Sequence, residues 1–104
     1  MNTGKVNLLE FLERESGPMT FGKFVVAARN LLGVTQSDLA RKLKVSRSMV
    51  CDIEKGRASV SLALAAKIAK TAGFPVNFAL KYAIEDQFRK ARIKMIVEIR
   101  PRAA

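Results

Sequence analysis

The stretch TQSDLARKLKVSRSMVCDIEKG, Thr35–Gly56, decides the fold. Thr35 is placed to cap a helix, and Asp38 three residues on completes a capping box. Leu39, Ala40 and Leu43 then recur at the spacing of one helical face. Lys44 and Val45 leave room for nothing but a sharp turn. Ser46 caps a second helix in which Met49, Val50 and Ile53 point inward, leaving Arg47, Ser48, Cys51 and Asp52 outside. Two short helices at a large angle, the second with a polar outer face, offer a cylinder narrow enough to enter the major groove of B-DNA.

Thr35-Gln36, Leu39-Ala40, Val45-Ser46, Val50, Ile53-Glu54 and Gly56 together resemble the helix-turn-helix of the Cro and lambda-repressor type, the xenobiotic-response-element family. The likeness runs from about Thr20 to Gly73. It implies an all-α, DNA-binding chain. Lys44 departs from the pattern, since the family often has glycine there. A lysine forced to positive φ costs about 1 kcal/mol.

The resemblance also assigns roles. Base edges are reached from the N-terminal end of the second helix, where Arg47 can make a bidentate contact to guanine. A phosphate contact or a solvated arginine remains the alternative. Ser48 discriminates weakly among bases. Asp52 is able to accept from a cytosine amino group, or simply to orient Arg47 or Arg57. Cys51 either fits the groove as a small side chain or offers a point of redox control. Gln36 opens the first helix of the motif, whose N-terminus favours a phosphate. Lys55, Gly56, Arg57 and Ser59 form a basic turn suited to the same purpose. Such contacts position a protein without reading sequence. Arg29 and Glu54 match positions that form a structural ion pair in proteins of this type.

Composition points the same way. The 104 residues suffice for one compact domain and not for two. Hydrophobic residues make up 49%, so the chain folds rather than staying disordered. An excess of 19 basic over 9 acidic residues gives a net charge of +10, which suits a polyanion. Residues 53–104 hold 11 basic and 4 acidic groups, so phosphate contacts are not expected to stop at the motif.

Several chemistries are excluded. There is no histidine, and the single cysteine permits neither an internal disulfide nor a cysteine-rich metal cluster. No phosphate-cradling glycine loop and no paired nucleophile and base occur, so neither cofactor nor catalysis is expected. No apolar run spans a bilayer and no signal peptide opens the chain, which predicts a cytoplasmic protein without membrane contact.

Around the motif, residues 1–18 form an extension. Asn7 and Glu10 suggest a capping box for a short helix that Gly17-Pro18 stops. The DNA-binding domain is expected over 19–74. One helix runs from its cap Thr20 to Leu32 with Phe21, Val25, Ala28 and Leu32 inward and Gly33 ending it. Another covers about 61–72 with Leu62, Ala65, Ile68 and Ala69 inward. Residues 75–104 form a third part. Val76, Phe78, Leu80 and Tyr82 alternate like a strand, but Val76, Leu80, Ala83, Ile84, Gln87, Phe88 and Ala91 fit one helical face. The pairs Lys81–Glu85, Glu85–Arg89 and Asp86–Lys90 favour the helix. RIKMIVEIRPR, by contrast, alternates strictly, and Ile93, Met95, Val97 and Ile99 share a face. A lone strand needs a partner for its backbone, most simply the same strand of a second copy.

The expectation is therefore an all-α, five-helix lambda-repressor-like domain with a short N-terminal helix and a C-terminal β-strand. Its expected function is transcriptional regulation: a repressor that binds double-stranded DNA at a palindromic operator as a homodimer through Ile93, Met95, Val97 and Ile99. Two alternatives stay open, the first from the resemblance and the second from the basic, helical character of the chain. One is an antitoxin of the HigA or HipB type, which binds a toxin protein through residues 1–18 or the C-terminal segment. The other is an RNA-binding or coactivator protein, disfavoured because the aromatic residues sit at core-like positions rather than on a stacking platform.

Overall fold

The computed structural model describes residues 3–102. Six helices follow one another: α1 (Thr3–Ser16), α2 (Phe21–Leu32), α3 (Gln36–Leu43), α4 (Arg47–Glu54), α5 (Leu62–Ala72) and α6 (Val76–Lys90). Side-chain caps start four of them. Thr20, Thr35, Ser46 and Ser61 each accept a hydrogen bond from the backbone N–H three residues on. Each such cap stabilises its helix by about 1 kcal/mol. At α3 the box is reciprocal, because the Thr35 N–H also donates to Asp38 Oδ2 at 3.1 Å. The hydrogen bonds from Thr35 hold the Asp38 carboxyl below its ordinary pKa.

The C-terminal ends are closed by two devices. Gly33 and Gly73 take left-handed φ of 68° and 72°, and their N–H groups return to the last turn of α2 and α5. Lysines brought from elsewhere in the chain satisfy further carbonyls. Lys67 Nζ donates to Leu43 O at 2.9 Å, and Lys5 Nζ donates to Ala72 O and Gly73 O, both at 2.9 Å.

The core lies where α2, α4, α5 and α6 converge. Phe24 is fully buried at its centre, with the rings of Phe74, Phe21 and Tyr82 at 5.1, 5.7 and 5.7 Å. Leu39, Leu43, Val50, Ile53, Ile68 and Ala79 fill the space around them. Burial raises the Tyr82 phenol above its ordinary pKa. Leu9 carries α1 into the same core.

The expectation of five helices and a C-terminal strand is corrected. Among the described residues there are six helices and no strand, and residues 93–102 have no regular secondary structure. A strand exists only where a ladder satisfies its N–H and C=O groups. A chain whose other elements are all helices offers no edge. The backbone turns to side chains instead, and the Val97 N–H donates to Glu85 Oε2 at 2.9 Å. The N-terminal helix is also longer than Asn7 and Glu10 suggested. It starts at Thr3, so Asn7 lies within it rather than capping it.

Smaller departures have packing causes. Leu32, Met49 and Leu62 are exposed although helical phase placed them inward. Each sits at or near a helix end, where the buried face has already turned away. Asp86 pairs with Arg89, three residues on, rather than with Lys90. No helix among the described residues is long and apolar enough to cross a membrane.

A glycine without a turn fixes the closest approach of two helices. A Cβ on Gly22 of α2 would stand 2.5 Å from Glu54 O and 2.8 Å from Ile53 O. Both obstacles are backbone, which cannot rotate away. Gly22→Ala is therefore expected to lower stability by about 1–3 kcal/mol as α2 and α4 are forced apart, read as a fall in urea midpoint.

Candidate nucleic-acid interface

The outer surface of α4 follows from its capping and its anchors. Ser46 sets the start of the helix through its bond to Met49 N–H at 3.0 Å, and Val50 and Ile53 bury the inner side. Arg47 and Ser48 are left exposed in the first turn, while Cys51 and Asp52 are half-buried one turn on. The four residues at positions 1, 2, 5 and 6 of an α-helix share one side. The Arg47 side chain takes no hydrogen bond or ion pair among the described residues, so its guanidinium is available.

The turn after α4 is held by α4 itself. Asp52 O accepts from Arg57 N–H at 2.8 Å and from Ala58 N–H at 3.3 Å, and Gly56 supplies a φ of 74°. Arg57 reaches back to Asp52, at 3.8 Å between Nη1 and Oδ1. Asp52 thus faces Arg57, and no contact joins it to Arg47. Lys55, Gly56, Arg57 and Ser59 are all exposed.

Behind this surface lies a polar junction. Arg29 Nε is 2.8 Å from Glu54 Oε2, and the Glu54 side chain is only 6% exposed against 20% for Arg29. A second Arg29 nitrogen reaches Glu54 Oε1 at 3.3 Å, and a third donates to Val34 O at 3.2 Å. Gln36 Nε2 donates to Glu54 Oε1 at 2.9 Å. Glu54 therefore ties α2, α3 and α4 at one point. Its hydrogen bond raises the Arg29 pKa above the ordinary arginine value.

The Gln36 amide nitrogen is thus engaged within the protein, whereas the sequence suggested only an outward phosphate contact. The first turn of α3 still has N–H groups with no intrahelical partner. Sequence reasoning also missed Gly22, whose role becomes visible only once α4 is packed against it. It missed an apolar groove of about 520 Å³ between α1 and α2, lined by Leu8, Leu12, Met19, Val26 and Leu31. No periodicity in α1 or α2 alone signals a gap between them.

Met95 and Ile96 are 63% and 88% exposed, Ile93 is exposed as well, and Val97 and Ile99 are half-buried.

Residues 25–78 match the helix-turn-helix family model. An uncharacterised HTH-type transcriptional regulator of Methanocaldococcus jannaschii is 52% identical over 58 residues, 56% of this chain and 88% of that protein. One from Methanothermobacter thermautotrophicus is 47% identical over 45 residues, 43% of this chain and 65% of that protein. The endothelial differentiation-related factor 1 homolog of Gallus gallus is 33% identical over 77 residues, 73% of this chain, which spans 52% of that protein. No solved structure matches the chain.

Removing the carboxylate at the junction leaves Arg29 and Gln36 without their acceptor. Glu54→Ala is expected to lower stability by about 3 kcal/mol, the lower end for a buried pair because Arg29 keeps some water. Chemical denaturation measures it, and an unchanged midpoint would contradict the assignment.

Proposed function

The chain belongs to the helix-turn-helix family of DNA-binding transcription regulators, and we propose that it is a cytoplasmic repressor that binds a palindromic operator as a homodimer. The observation that carries this reading is the exposed, unpaired Arg47 at the start of α4. It stands on a helix whose far end is locked to α2 and α3 through Glu54. A rigidly held donor reads bases at little entropic cost, because its scaffold is already ordered. Arg47 and Ser48 take base edges, Cys51 and Asp52 line the rest of the contact, and the turn from Lys55 to Ser59 takes phosphate. Gln36 supplies helix N–H groups to the backbone while its side chain holds Glu54. Occupying the operator excludes polymerase.

Selection of bound fragments from random duplex DNA identifies the operator, and substitutions then separate the two kinds of contact. Arg47→Ala is expected to cost about 1–3 kcal/mol on the selected site and much less on random duplex. Lys55→Ala weakens both alike. Equal losses for Arg47→Ala on both DNAs would make Arg47 a phosphate contact and remove the proposed readout.

Exposed Ile93 and Met95 supply the contact between copies, joined by the neighbouring apolar residues Val97 and Ile99. A chain ended after Arg92 keeps the whole buried core, so it is expected to retain its helix content yet sediment as a monomer, with weaker operator binding. A tight dimer for that fragment would move the interface elsewhere.

A further inference from the structure

Two residues that carry side chains occupy the left-handed backbone region, Lys44 at φ 59° and Arg92 at φ 61°. Both are basic, and both follow a helix. Elsewhere the chain puts glycine at such positions, at 17, 33, 56 and 73. Glycine avoids the clash that a Cβ makes there with the following carbonyl oxygen. Strain kept at a surface position points to a use for the side chain. Lys44 lies in the turn between α3 and α4, inside the helix-turn-helix. Arg92 lies far from it in sequence, and its exposed side chain takes no hydrogen bond or ion pair among the described residues.

The fold brings the two regions together. Lys90, two residues before Arg92, walls the same crevice as Gly56 and Ser59 of the turn after α4. The Phe21 N–H donates to Asp86 Oδ2 at 3.1 Å, which pins this end of α6 to the start of α2. Asp86 is the acidic residue of the crevice, and its other oxygen is taken by Arg89 at 2.5 Å. Nothing acidic is left for Lys90, which is exposed and unpaired among the described residues. Positive charge thus continues from the turn after α4 across the crevice to Lys90, and Arg92 and Lys94 follow in the chain, lining the neighbouring groove with Glu85 and Arg89.

We infer that the C-terminal end of α6 is a second phosphate-binding site, where Lys90 and Arg92 hold the backbone of the same duplex beyond the segment gripped by residues 55–59. The inference rests on the DNA-binding reading of α4. These contacts carry no sequence preference and set register and affinity. Two phosphates neutralised per protomer add about 1.8 to the slope of log affinity against log salt.

The test uses the full chain on random duplex DNA, titrated between 50 and 200 mM salt. Lys90→Gln, Arg92→Gly and the double variant are compared with the parent and with Lys55→Ala. Arg92→Gly relieves the left-handed strain, so its melting temperature is expected to equal or exceed the parent's while its salt slope falls by about one. In the double variant the loss of affinity across this salt range shrinks by roughly tenfold per protomer. Slopes unchanged in all three variants, alongside a reduced slope for Lys55→Ala, would overturn this site and leave the α4 reading standing. A melting temperature lowered by Arg92→Gly would also overturn it, by making Arg92 structural. A parent that binds no duplex would remove both readings.

Discussion

The arrangement depends on one carboxylate. Glu54 closes α4, and its two oxygens take Arg29 from α2 and Gln36 from α3. Its own backbone carbonyl lies where a Cβ on residue 22 would collide, so Gly22 lets α2 come close enough for the pair to form. The polar junction and the steric opening are two halves of one constraint. A nearly buried carboxylate is costly unless its oxygens are satisfied. Here satisfying them fixes the angle between three helices. An all-apolar seam would allow those helices to slide, because hydrophobic contact is non-directional.

That constraint explains how so small a domain presents a rigid surface. α3 and α4 have eight residues each, too short to be stable alone. They persist because caps hold their starts and Lys67 closes the end of α3 from α5. Their apolar residues complete a core built around Phe24. Little energy resides in any single element. The outer face of α4 inherits its order from the junction behind it, and the turn after α4 inherits its shape from the Asp52 carbonyl.

Charge is arranged on the same plan. The acidic groups nearest the motif are occupied: Asp38 by Thr35 and Arg41, Asp52 by Arg57, and Asp86 by Phe21 and Arg89. The net charge of +10 is therefore not only an excess in number. Carboxylates are committed to backbone and side-chain partners, while Arg47, Lys55 and Lys90 stand free of them among the described residues. A surface so divided attracts phosphate over a distance set by ionic strength.

Local signals determined the helices. The caps Thr20, Thr35 and Ser46, the stop glycines Gly33 and Gly73, and most of the apolar phase of α2 to α6 act within a few residues of chain, so they are legible without any tertiary contact. The exposed residues of α4 were legible for the same reason, and the pairing of Arg29 with Glu54 through family resemblance. Tertiary structure decided what depends on distant partners. Gly22 reads as a neutral helix residue until α4 is packed on it, and Gln36 as an outward amide until Glu54 is beside it. Lys5 and Lys67 become caps only where another helix ends. The alternation of Ile93, Met95, Val97 and Ile99 has the period of a strand, but period sets only which side chains share a face. Whether a strand exists is decided by a neighbouring edge that can take its hydrogen bonds, and a fold built of helices has none to offer.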